Sequence, residues 1–200
     1  MTTPESLKLV VDTSIVGASN IEFEITCVDK FGVTIDWGDK SSNIIDSSAI
    51  PQLISHPYDP EGSRTITITG KFTHFKIADG NKMLIEILQF GNCGITSLKE
   101  AFKDCTKLTN IYKGYHDDLS LLTDISGAWS GCSSLTEFEC DLPNVTTVNN
   151  AWYGCSSLSY FYSDLRSLEN ADSAWSGCSS LSHFECDLSN VTNADNAWYG

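Results

Sequence analysis

Apolar and polar side chains alternate in short runs over the first part of the chain: Ile21-Glu22-Phe23-Glu24-Ile25-Thr26-Cys27, Val33-Thr34-Ile35-Asp36-Trp37 and Thr65-Ile66-Thr67-Ile68-Thr69. A period of two puts successive side chains on opposite faces of an extended backbone, so these runs predict half-buried strands. Glycine, proline, asparagine and serine separate them, and short strands so punctuated predict a small β-sandwich over residues 1–78. The second part keeps a longer beat. Trp129, Trp152, Trp175 and Trp198 stand 23 residues apart, each preceded by alanine (Ala128, Ala151, Ala174, Ala197), and Cys132, Cys155 and Cys178 keep the same interval. The apolar positions of one unit are Leu135, Phe138, Leu142, Val145, Val148 and Ala151. A looser copy precedes it at Ile95, Leu98, Ala101, Phe102, Cys105, Leu108 and Ile111, with four residues inserted around Gly114 to Asp118. Phe184 to Leu188 repeats Phe138 to Leu142 at a distance of 46, so alternate units are chemically distinct.

A 23-residue unit of this kind cannot bury its own hydrophobic face. Stacked copies form a continuous core with like residues over like, which predicts a solenoid over residues 79–200. The L-x-x-F-x-x-D-L stretch is short and β-compatible, so one short parallel strand per coil is expected there. Ala-Trp-x-Gly-Cys is expected to form a helical or 3₁₀ turn on the other side. Phe72 to Asn81 would join the sandwich to the first coil.

At Cys132 to Cys155, Pro143 included, the chain resembles the BspA-like leucine-rich-repeat surface proteins, with tryptophan where that family usually has phenylalanine. The resemblance covers about residues 88 to 200. It implies a leucine-rich-repeat solenoid and a role in adhesion or in protein and cell-surface binding. The segment Ile35-Asp36-Trp37-Gly38-Asp39, followed by His56-Pro57-Tyr58 and Glu61 to Gly70, resembles the polycystic kidney disease (PKD) type of Ig-like domain. Lys40 and Arg64 depart from that pattern. Such a module implies a spacer or docking role on a surface protein.

Charge narrows the partners. With 12 basic and 26 acidic residues the net charge is −14, the wrong sign for neutralising a phosphate backbone, so nucleic acid is excluded as a partner. The acidity is uneven: residues 1–78 carry 6 basic and 10 acidic groups, residues 79–200 carry 6 and 16, and from Tyr115 onward only Arg166 is basic. No apolar stretch reaches the ~20 residues of a membrane-spanning helix. Met1 to Ser6 lacks the basic and apolar regions of a secretory signal.

Candidate chemistry is sparse. No nucleophile elbow, zinc-binding helix motif, P-loop or dinucleotide fingerprint is present, and the four histidines (56, 74, 116, 183) have no ligand spacing, so neither an enzyme nor a bound cofactor is expected. The cysteines at 105, 132, 155 and 178 read as small buried hydrophobes. Cys140 and Cys186, two coils apart at ~10 Å, are too distant for a direct bridge, which fits synthesis in a reducing compartment. The tryptophan column reads as core packing in preference to a carbohydrate platform. Asp141, Asp164 and Asp187 also recur at 23; turn hydrogen bonding is the expected role and calcium the sharper alternative. Asp36 and Asp39 invite the same choice between turn and calcium, and in the W-G-D segment with Trp37, a structural residue, they are expected to fix a tight turn. Asn144 and Asn190, in N-x-T sequons, read as turn asparagines.

Glu137, Glu139, Tyr160, Tyr162, His183 and Glu185 fall at outward positions that change from coil to coil while the core stays constant, as in a recognition surface. The expected partner is a protein or a cell-surface glycan. Two functions follow: a non-enzymatic phage virion surface component (capsid decoration or tail fibre) that contacts capsid or tail subunits, or a bacterial or protist adhesin at the cell surface. A third is a calcium-dependent glycan binder. Ala197-Trp198-Tyr199-Gly200 breaks off in mid-unit, so a longer chain or another subunit is expected to cover that coil.

Overall fold

The computed structural model describes residues 6–15, 20–59, 61–112 and 117–200. The residues before Ser6, His116 and most of the insertion around Gly114 to Asp118 lie outside them. The strands are β1 (Ser6–Asp12), β2 (Asn20–Cys27), β3 (Val33–Asp36), β4 (Ser42–Ile45), β5 (Gln52–Pro57), β6 (Ser63–Thr69), β7 (Phe72–Ile77), β8 (Leu84–Gln89), β9 (Asn110–Ile111), β10 (Glu137–Glu139), β11 (Tyr160–Ser163) and β12 (His183–Cys186). They form three sheets ordered β4-β3-β6-β1-β8-β9, β5-β2-β7 and β10-β11-β12.

The period-two runs form β2, β3 and β6. Antiparallel pairing sets Leu7 opposite Ile68, Leu9 opposite Ile66 and Ile35 opposite Ile68, which lines up one apolar face of the first sheet. Ile21, Phe23, Ile25, Phe75 and Ile77 supply the apolar face of the second, and all ten of these side chains are fully buried. Phe23 spans the two layers, with its ring 5.6 Å from Trp37 and 5.1 Å from Phe75. An Ig-like arrangement is compatible with these two sheets, although β8 extends the first by pairing antiparallel with β1, and β9 adds to it in parallel.

The expected leucine-rich-repeat solenoid with helical or 3₁₀ turns is not what forms. The described residues are all-β and irregular, with no helix, no closed solenoid, and therefore no helix long and apolar enough to cross a membrane. The reason lies in where the backbone N–H groups go. Within the Ala-Trp segment, Ala128, Ser130 and Cys132 donate to the carbonyl three residues earlier, but Gly127, Trp129 and Gly131 donate to Asn149, Ala151 and Tyr153 of the following repeat at 2.7–2.8 Å. A helix needs every N–H directed along its own axis. Here alternate donors are taken by the neighbour, and Gly131, Gly154 and Gly177 turn the chain at φ 70–77°.

What the repeats do share is a parallel register. Phe138, Phe161 and Phe184 align across β10, β11 and β12. A line of single parallel bridges joins His74, Ser97, Asp124, Thr147, Asn170 and Asn193. The first repeat rests on β7: Ile77 N–H donates to Ala101, Thr96 N–H to Thr73, and the Phe75 and Phe102 rings lie 5.9 Å apart. One hydrophobic core therefore runs from the N-terminal sheets into the repeats.

Candidate functional site

β10, β11 and β12 turn their phenylalanines inward, so the flanking residues point outward by the pleat of the strand. Register places Glu137, Tyr160 and His183 in one column and Glu139, Tyr162 and Glu185 in the other. Both tyrosines are half-buried and the other four residues exposed. Tyr160 and His183 stack face to face at 4.6 Å and 4°, and His183 Nε2 lies 3.8 Å from the Glu185 carboxylate. Two aromatic rings and a histidine bordered by three carboxylates make a flat face suited to cationic groups, through ionic contacts and ring faces together.

At one end of this face an open groove of about 480 Å³ is lined by Asp141, Tyr162, Ser163, Asp164, Glu185, Cys186 and Asp187. Arg166 grips Asp164 through Nε and Nη2 and holds its carboxyl below the usual range. Asp187 accepts the Ser189 N–H at 2.9 Å, which lowers its carboxyl too. Among the described residues no group of three or more His, Cys, Asp or Glu side chains is placed to hold a metal ion. The Cys186 thiol in this groove is pushed up to about 12, mainly by burial.

The tryptophan and cysteine columns lie behind the face. Trp129, Trp152 and Trp175 are buried and stack at 5.7 and 5.5 Å, each packed edge-on against a phenylalanine; Trp198 continues the stack at 5.4 Å but is half exposed. The indole N–H groups of Trp129, Trp152 and Trp175 are buried with no hydrogen-bond partner. Cys132, Cys155 and Cys178 donate their thiols to the carbonyls of Phe102, Trp129 and Trp152 at 3.1–3.2 Å. Burial raises all three thiols, Cys178 to about 12, which makes them poor nucleophiles. None of the eight cysteines is in a disulfide.

In the N-terminal sheets, Trp37 is fully buried and donates Nε1–H to Asn43 at 2.6 Å. Asp36 accepts the Gly38 N–H, and Asp39 accepts the Ser41 N–H and hydroxyl at 2.9 and 2.6 Å. Asp39 also meets His56 Nε2 at 2.8 Å, and the His56 ring stacks on Trp37 at 4.4 Å. The Ser41 and His56 hydrogen bonds hold the Asp39 carboxyl at about 2. Gly38 is at φ 78°, and a Cβ there would sit 2.5 Å from the Thr65 carbonyl oxygen. His56, Asn43 and Tyr58, whose hydroxyl donates to the Trp37 carbonyl at 2.9 Å, complete a lock that the W-G-D motif alone does not reveal.

Sequence reasoning also missed the seam between the sheets and the repeats. Lys76 binds Glu100 at 2.9 Å and Asp79 at 3.2 Å, and Lys71 reaches Asn92. Lys76 and Glu100 are 24 residues apart, Lys71 and Asn92 21, and neither pair carries a motif. Asn144 and Asn190 each donate to a carbonyl of the preceding repeat at 2.7 Å, a role their sequon context hides. No family model matches the chain, and neither does any curated protein or solved structure, so the BspA-like and PKD resemblances rest on the quoted motifs and assign no family.

Proposed function

We propose that this protein is a non-enzymatic recognition component of a phage virion surface, of the capsid-decoration or tail-fibre type. It docks through the N-terminal sheets and binds a basic protein surface through the outward face of β10, β11 and β12. One observation carries this reading. The inward column of that sheet is phenylalanine three times over, while the outward columns read Glu, Tyr, His and Glu, Tyr, Glu. A constant core under a varied exposed face is the economy of a recognition surface. The virion placement draws on the eight cysteines without a disulfide, since buried thiols in neighbouring repeats persist when a chain matures in a reducing compartment.

The test is binding of a short lysine-rich extended peptide to the protein by calorimetry at two salt concentrations. Affinity should fall as salt rises, and E137Q/E139Q/E185Q should lose at least tenfold. Equal binding by that triple variant and the parent, or no binding by either, would end the proposal for this face. Antibody labelling of intact virions checks the location, and labelling confined to a cell envelope would reject it.

A further inference from the structure

The turns of the first three repeats enclose a second groove, which shares no residue with the one beside β10, β11 and β12. Counted from the alanine of each turn, the first repeat places Lys99, Glu100 and Lys103 where the second places Ser126, Gly127 and Ser130. The third places Asn149 and Asn150 there, with Tyr153, half exposed, on the same turn. Short side chains between two rows of longer ones leave an open trough of about 430 Å³, lined by the three residues of each of the first two repeats and by both asparagines. Its volume is that of a small-ligand site.

No apolar side chain lines this trough. Its backbone is already committed: Glu100 N–H donates to the Ser126 carbonyl at 2.9 Å and Gly127 N–H to the Asn149 carbonyl at 2.8 Å, so a partner strand cannot add here. Its charges are balanced as well. Glu100 binds Lys76 at 2.9 Å and lies 3.9 Å from Lys103, while Lys76 also meets Asp79 at 3.2 Å. Lys76, Lys99 and Lys103 are thus matched by Asp79, Glu100 and Asp104, and no net charge favours a simple ion.

What is left unspent is the hydrogen-bonding capacity of the side chains. Among the described residues the Ser126 and Ser130 hydroxyls, the Lys99 ammonium and the amides of Asn149 and Asn150 bond to no other protein group. Ser176, at the position of Ser130 two repeats on, donates its hydroxyl to the Tyr199 carbonyl at 3.0 Å, so the turn itself can satisfy such a serine. Asn149 Oδ1 is moreover buried without a partner, and acceptors left so are rare in folded proteins.

We propose that the trough is a binding site for a neutral oligosaccharide. Sugar hydroxyls both donate and accept, which suits two serines, two amides and a lysine together. Tyr153, joined to the floor by the Gly131 N–H to Tyr153 carbonyl bond at 2.7 Å, offers a ring to the C–H face of a sugar. The polar lining gives a lipid or an apolar peptide nothing to bury.

Nuclear magnetic resonance titration of the 200-residue protein with maltotriose, cellotriose and tri-N-acetylchitotriose tests this. At least one should give saturable shifts that include the Asn149 and Asn150 side-chain amides, with an affinity indifferent to salt because the ligand is uncharged. Ser130→Tyr fills the trough with the residue that the third repeat carries at this position, and Asn149→Asp installs the aspartate of the fourth, so both variants keep the fold. The first should weaken binding at least tenfold and the second at least threefold, with unchanged far-ultraviolet spectra. E137Q/E139Q/E185Q, on the strand face, should bind as the parent does. Saturation by none of the three sugars, equal affinity in Ser130→Tyr and the parent, or loss of binding in the triple variant overturns the proposal.

Discussion

Trp152 shows how a single residue can be both the best-packed and the least satisfied group in its surroundings. It is fully buried between Trp129 and Trp175, yet its indole N–H has no partner. Trp152→Phe removes that orphaned donor and leaves a small gap, so the two effects oppose each other and stability should change by less than ~1 kcal/mol. Trp152→Ala should cost ~3–5 kcal/mol. Urea denaturation followed by circular dichroism distinguishes the two. Asp39 carries a different prediction. Its carboxyl is lowered from 3.8 to about 2 in the folded protein, so its contribution is complete above about pH 4 and is lost as pH falls through about 2. Asp39→Asn should destabilise the protein by on the order of 1 kcal/mol at neutral pH, the carboxyl being partly solvated, and the difference should vanish near pH 2 in a denaturation series. Both residues stand out in the sequence, Trp152 by its spacing and Asp39 by its W-G-D setting. The His56 that meets Asp39 does not, because it reaches that carboxylate from 17 residues away only after the strands have paired.

The elements divide in the same way. Alternation marks β2, β3 and β6 because a half-buried strand writes its two faces directly into the order of side chains. The turn segments write nothing so plain. Ala-Trp-x-Gly-Cys suggests a helix or 3₁₀ turn, but the fate of its N–H groups depends on carbonyls 22 residues away, such as Ala151 for Trp129. Each turn also needs a left-handed residue before its alanine: Glu100, Asn150, Ser173 and Asn196 stand there at φ 52–55°, and Gly127 at 65°. Ser173→Gly should therefore stabilise by ~0.5–1 kcal/mol, since a non-glycine residue is strained in that conformation. Gly177→Ala should cost more than ~1 kcal/mol, because the residue sits at φ 77° and an added Cβ would lie 3.3 Å from the Gly154 Cα. Urea midpoints of opposite sign for the two variants would check the pair.

At the scale of the whole molecule, the net charge of −14 and the near absence of cations after Tyr115 were plain from composition, and they still frame the acidic face of β10, β11 and β12. The seam was not. Lys76 to Glu100 and the seating of the first repeat on β7 join segments with no shared motif, so only the assembled core shows that the sheets and the repeats are one body. The first repeat of that body is seated on β7. Each repeat is held by a similar set of backbone bonds to the one before it, and the innermost is pinned by β7. A pull on the repeats would therefore peel them in steps of about one repeat, each releasing ~80 Å of chain, while the N-terminal sheets stayed folded. Yielding of this kind would dissipate a pull repeat by repeat before the N-terminal sheets opened.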